Sequence, residues 1–237
     1  ITSATLGDPA TAGGAAFLDV VPRRFAAESP FDYGACVRVF IVTDVKPRDT
    51  AATALAYARF IEAAGGGTLG LFTAIARLRA VHARIHDRLA RLGLPLWAQH
   101  VDPIDTGTLV DLFRADPHAS LIGTDALRDG VDVPGDSLRL ILFEGVPWSR
   151  PTILETARRA AGGGQEHEDQ RVRQRLAQAF GRLIRRADDR GVFVLLGPAV
   201  PSRLLSAFPE AVPVARLPLE AAIAEAGAFL GRPAGIA

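Results

Sequence analysis

The sequence predicts an open α/β domain, a doubly wound and mostly parallel sheet with helices on both faces. Two observations carry that prediction. Short, near-continuous apolar runs recur along most of the 237 residues, the pattern of strands buried on both faces. Longer amphipathic segments separate them, each long enough to be a crossover helix.

Taken in order, Val37–Val42 reads as the first strand. A helix over 50–64 follows, with Thr50 offered as its N-cap and Gly65 ending it. Thr68–Phe72 is the second strand. Residues 74–92 carry Ile75, Leu78, Val81, Ile85, Leu89 and Leu92 at helical spacing and stop at Gly93. Leu94–Ala98 is a third strand, 106–115 a helix, Ser120–Gly123 a fourth strand and Leu138–Phe143 a fifth. Helices over about 150–161 and 168–187 flank Gly162-Gly-Gly164, and Val192–Leu196 is a sixth strand. A helix over 218–230 closes the chain. Residues 1–30 sit outside this rhythm, are poor in charge and read as the tail of a preceding unit. Sheets of this kind hold their ligands in loops beyond the carboxyl ends of the strands.

Composition narrows the function. Apolar residues make up 49% and charged residues 22%, an ordinary globular balance. No apolar run approaches the roughly 18–20 residues that span a bilayer, and the front of the chain lacks the basic-then-apolar pattern of a secretory signal. One cysteine, Cys36, makes neither an internal disulfide nor a cysteine metal cluster. The first residue is Ile1 and there is no methionine, so the chain reads as a piece of something longer. Net charge is only +1, yet 26 of the 27 basic residues are arginine, with Lys46 the exception. Residues 77–91 hold five arginines against Asp87, and 158–190 hold nine against five acids. Such stretches serve as nucleic-acid or nucleotide surfaces or as plain solvated helix faces.

Three segments carry chemistry. In Gln178-Ala-Phe-Gly-Arg-Leu-Ile-Arg185, a helix would bring Gln178, Gly181, Arg182 and Arg185 into one stripe at i, i+3, i+4 and i+7. Two guanidinium groups and an amide on one face, with a glycine allowing close approach, suit polyphosphate and the arginine-finger role. The same spacing also describes a surface helix with incidental arginines, and the residues alone favour that plainer reading. In Leu121 to Gly135 a strand runs into a loop with Thr124, Asp125, Asp129, Gly130 and Asp132, able to hold a phosphate or to be an ordinary acidic turn. Leu69 to Ala74 leads a strand through Thr73 into a helix, where a hydroxyl caps amides by default.

In this order the segments resemble the second motor domain of superfamily 2 helicases, closest to the XPD/DinG group of DNA helicases and its bacterial DinG-like branch. Thr2-Ser-Ala-Thr-Leu6 resembles that family's motif III and Ser29–Tyr33 the segment after it. Gly66–Thr73 resembles motif IV, with Gln99 where the branch often carries a glutamine after the next strand. Gly123–Asp132 resembles motif V, Val146-Pro-Trp148 the turn that follows it, and Gln178–Arg185 motif VI. The resemblance covers nearly the whole chain. It departs at Arg128-Asp129, where the family has Trp-Glu, and at Gly197-Pro198-Ala199, where it has Asp-x-Arg.

The resemblance implies a RecA-like fold, with residues 1–30 the tail of a preceding motor domain and 31–237 the second. It implies an ATP-driven motor moving 5′-to-3′ on single-stranded DNA in the cytoplasm, at the nucleoid. Arg182 and Arg185 would be arginine fingers, and Gln178 and Gly181 would face ATP. Gly130 and Asp132 would couple nucleotide state to DNA grip, and Thr73 and Thr124 would touch the DNA backbone. ATP and Mg2+ would be shared with an N-terminal motor domain, because no Gly-x-x-x-x-Gly-Lys-Ser/Thr occurs, and an iron–sulfur cluster, where present, would not lie in this chain. Alone, the chain is expected to be an inactive monomer without membrane contact. The alternative is a non-catalytic RecA-like module that binds single-stranded DNA or a protein partner. A dinucleotide enzyme fits poorly, since Gly65-Gly-Gly67 precedes a strand instead of following one.

Overall fold

The computed structural model describes residues 29–46, 49–124, 127, 133, 135–148 and 164–231. The helix expected over 150–161, the motif III resemblance, Gly130, Asp132 and Arg128-Asp129 fall outside these residues. Seven strands form one sheet: β1 Val37–Val42, β2 Thr68–Phe72, β3 Leu96–Ala98, β4 Ser120–Thr124, β5 Leu140–Phe143, β6 Gly191–Leu196 and β7 Val214–Leu217. Their order is β3-β4-β2-β5-β6-β1-β7, and every pairing is parallel. The strand missing from the sequence reading is β7, an edge strand without a fully buried residue.

Alternation along the strands divides the core between two faces. On one face Phe40, Val42, Val192, Val194 and Leu196 meet the helices α2 Thr50–Ala64, α3 Ile75–Arg91 and the last helix, Leu219–Phe229. On the other, Val39, Ile41, Phe143, Phe193 and Leu195 meet α4 Thr106–Ala115 and α5 Gly164–Phe180. Before β1 lies a single helical turn, α1 Tyr33–Cys36, so the closing helix Leu219–Phe229 is α6. The doubly wound expectation therefore holds.

Local chemistry fixes these elements. The N-cap of α2 is Asp49, whose carboxylate accepts from the Ala52 amide at 2.9 Å; Thr50 is the first helical residue. Gly65 ends α2 at φ 65°, in the left-handed region that suits glycine. Just beyond, the buried Arg139 guanidinium donates to the carbonyls of Ala64 (2.8 Å), Gly65 (2.6 Å), Pro117 (2.9 Å) and Asp136. A cation at the carboxyl end of α2 complements the helix dipole, and it ties together the chain entering β4 and β5. Gly70 in mid-β2 answers to packing: a Cβ there would lie 2.6 Å from Tyr57 Cε1 and 2.8 Å from Ile122 Cγ2.

One expected helix is shortened. Residues 168–187 were expected to be helical, but α5 ends at Phe180. The next amides make tight i→i−3 bonds, Arg182 to Ala179 and Leu183 to Phe180. The Asp189 carboxylate then accepts from the Arg185 and Arg186 amides, both at 2.8 Å, in place of helical carbonyls. The reward for leaving the helix is that Leu183 and Ile184 are both buried.

Candidate functional site

The parallel sheet sorts the sequence-selected residues to its two ends. Thr73 follows β2 directly and Thr124 is the last residue of β4, beside Phe72 in the strand register. Both lie at the carboxyl ends. Gln178 sits in the last turn of α5, and Gly181, Arg182 and Arg185 lie in the turn leading to β6. Leu183 of that turn packs where a Cβ on Gly191 would project, and Gly191 is the first residue of β6, paired with Val37, the first of β1. The arginine segment is therefore at the amino ends, a strand length of roughly 17 Å from the threonines. The arginine segment thus lies outside the carboxyl-end loops in which the sequence reading looks for ligands.

The single helical stripe of Gln178, Gly181, Arg182 and Arg185 is also corrected, because Gly181 to Arg185 are not helical. The four residues still share one short segment, with Gln178 and Arg185 exposed and Arg182 half-buried. Gly135, just ahead of β5, lies at the same end, since the Arg186 guanidinium is 3.8 Å from its Cβ position.

At the carboxyl ends two threonines are held alike. The Thr73 amide and hydroxyl both donate to Glu144 Oε1, at 2.7 and 2.6 Å. The Thr124 amide and hydroxyl both donate to Gln99 Oε1, at 3.0 and 3.0 Å. Each pair of hydrogens is committed to one internal oxygen, so neither threonine offers them outward. The fixed Thr124 amide sets the orientation of the Gln99 amide group, whose nitrogen donates to Thr106 Oγ1 at 3.3 Å. Glu144 is 2% exposed and pairs through Oε1 with Arg77 Nη2 at 2.9 Å, while the same Nη2 donates to Thr73 Oγ1 at 2.6 Å. Glu144 Oε2 is buried without a hydrogen-bond partner. A carboxylate behind and a guanidinium one-third exposed in front give this rim an outward positive end.

Sequence reasoning passed over Glu144, although a lone acid closing the apolar run Leu-Ile-Leu-Phe-Glu was there to be read. The basic stretches resolve largely into structural uses. Arg79 binds the His100 carbonyl, Arg88 pairs with Glu62 at 2.6 Å, Arg173 pairs with Glu166 at 2.6 Å, and Arg175 donates to the Pro147 carbonyl at 2.7 Å. On α5 the buried Asp169 is held below the usual carboxylate range, first by its hydrogen bond from Arg203 and then by Gln165.

A parallel doubly wound sheet with arginines at one end and a fixed polar rim at the other is the frame of a RecA-like helicase motor domain. The chain belongs to the helicase C-terminal domain family, whose model matches residues 57–214. Over this domain it is similar to curated DinG-type helicases. A relative from Mycobacterium tuberculosis, "ATP-dependent helicase DinG", is 39% identical over 180 residues, covering 71% of this chain and 26% of the relative. "ATP-dependent DNA helicase YoaA" of Escherichia coli is 33% identical over 180 residues, covering 70% and 27%. The chain thus spans about a quarter of the length of these curated relatives. The solved structure titled "XPD_Helicase" matches with a TM-score of 0.55 at 18% identity, over 76% of this chain and 35% of that one, a likeness of fold. No helix among the described residues is long and apolar enough to cross a membrane.

Proposed function

We propose that this chain is the second motor domain, over 31–237, of an ATP-dependent DNA helicase that moves 5′-to-3′ along single-stranded DNA. In this reading Arg182 and Arg185 are the arginine fingers, reaching the nucleotide held by the preceding motor domain. Gln178 hydrogen-bonds in the same cleft, and Gly181 leaves room for close approach. Guanidinium groups there stabilise the charge that builds on the transferred phosphoryl oxygens. Thr73 and Thr124 are fixed points of the DNA track, and Gly130 and Asp132, on the loop between the two ends, couple them. The observation that carries the reading is the division of the threonines and the arginine segment between opposite ends of one parallel sheet. A nucleotide cleft and a nucleic-acid track need such separation, so that closing one can move the other.

The described residues contain no group of three or more His, Cys, Asp or Glu able to hold a metal. In this reading Mg2+ accompanies ATP on the side of the preceding motor domain. DNA as the substrate is supported by the name of the Escherichia coli relative, a DNA helicase. Action at the nucleoid and a monomeric isolated domain belong to the same proposal. The test is ATP turnover with and without single-stranded DNA, for this chain and for the helicase that carries it. Turnover stimulated by DNA in the helicase, with none from the chain alone, supports the reading. No stimulation in the helicase overturns it and favours a module that binds single-stranded DNA or protein without hydrolysis.

A further inference from the structure

Among the described residues His100 is the one non-glycine residue with a positive φ, 67°. A side chain is strained there relative to glycine, because its Cβ crowds the neighbouring carbonyl. The surroundings over-determine the turn. Arg79 Nε and Nη2 both donate to the His100 carbonyl, at 3.1 and 2.9 Å. The amides of Val101 and Asp102 fold back onto the Ala98 carbonyl at 3.2 and 3.0 Å, and Asp102 Oδ2 accepts from the Ala98 amide at 2.7 Å. All of these contacts involve main-chain atoms or other side chains, so a glycine at 100 would keep each of them without the strain. What histidine adds is its ring.

The ring is fixed as well. The Thr124 hydroxyl hydrogen goes to Gln99 Oε1, so the His100 Nε2 that faces Thr124 Oγ1 at 3.4 Å must be the donor. The neutral ring is thereby the Nε2–H tautomer, pinned by one edge to the rim while the residue stays exposed. We infer that His100 is a base-contacting residue of the track, a flat ring at the carboxyl ends of β3 and β4 on which a base of a single strand stacks. The inference rests on the proposed single-strand track and names a contact within it.

Binding of a labelled oligo(dT) strand to this chain, followed by fluorescence anisotropy over a range of salt, tests it. His100→Gly and His100→Asn are compared with the parent, since both tolerate a left-handed backbone and both remove the ring. The expected result is a thermal midpoint for His100→Gly at or above the parent's, with binding weakened about tenfold in both variants. The slope of log K against log salt stays the same, because stacking releases no counterion. Parent-like binding by His100→Gly overturns the inference and leaves the track reading standing. So does a slope shallower by about 0.7, the mark of a lost phosphate contact. A parent that binds no oligo(dT) defeats the track reading itself, and His100 with it.

Discussion

Removing Arg77 from the front of the rim should cost more stability than removing its buried partner, Glu144. Glu144 is 2% exposed and holds a full carboxylate, whereas the Arg77 side chain keeps 34% of its exposure. Glu144→Ala forfeits two hydrogen bonds to Thr73 and the ion pair, leaving the Thr73 amide without its acceptor. Hydrogen bonds to a charged group contribute about 1.5–3 kcal/mol each. Deleting a buried carboxylate whose Oε2 lacks a partner returns part of its desolvation cost, and the one-third-exposed guanidinium recovers water. The net expectation is about 2–3 kcal/mol for Glu144→Ala and about 1 kcal/mol for Glu144→Gln, which keeps an acceptor oxygen. Arg77→Ala strands the buried charge and should cost about 3–4 kcal/mol. Equilibrium urea unfolding reads these as midpoint shifts at constant m. The double variant should fall close to Glu144→Ala alone, a coupling of about 3 kcal/mol. Additive losses, or an Arg77→Ala cost below about 1 kcal/mol, would refute the account of the rim.

Three further outcomes follow from the packing and the charges. Gly70→Ala drives a methyl into the Tyr57 ring and should cost about 1–3 kcal/mol by thermal melting. Arg139→Met withdraws a buried cation from four carbonyls and should cost at least about 3 kcal/mol in urea, the midpoint shift again being the readout. Asp169 has its folded pKa below its unfolded value, so its contribution is present above about pH 4, near the ordinary carboxylate value, and is lost as pH falls through the folded pKa. Asp169→Asn should therefore be less stable than the parent at pH 7, with the gap closing in urea melts taken toward pH 3.

Much of the fold was legible because its strands are buried on both faces. Runs such as Val37–Val42 and Val192–Leu196 carry the pattern of strands covered on both sides. Edge strand β7 was not, since Val-Ala-Arg-Leu between Pro213 and Pro218 is short and half-exposed, without a continuous apolar run. The end of α5 was overrun for a different reason. Leu183 and Ile184 continue the helical spacing, and the Asp189 carboxylate that captures the next amides is visible only in three dimensions. The candidate residues could be picked out singly, but not their division between two ends, which depends on which strand each one flanks. Gln99 was marked by resemblance, and its purpose, fixing Thr124, came from the hydrogen bonds. Glu144 was readable as the acid closing Leu-Ile-Leu-Phe, whereas nothing in the sequence marks the left-handed backbone of His100.

The central claim is that the turn after α5 supplies arginines to a nucleotide held by another domain. Single-strand-stimulated ATP hydrolysis by the helicase that carries this domain tests it most directly, with Arg182→Ala and Arg185→Ala beside Arg114→Ala, whose guanidinium pairs with Asp111 on the surface of α4. The account predicts a loss of about 10³-fold or more when Arg182 and Arg185 are both replaced, with parent-like turnover for Arg114→Ala. Turnover indifferent to both arginines would contradict it.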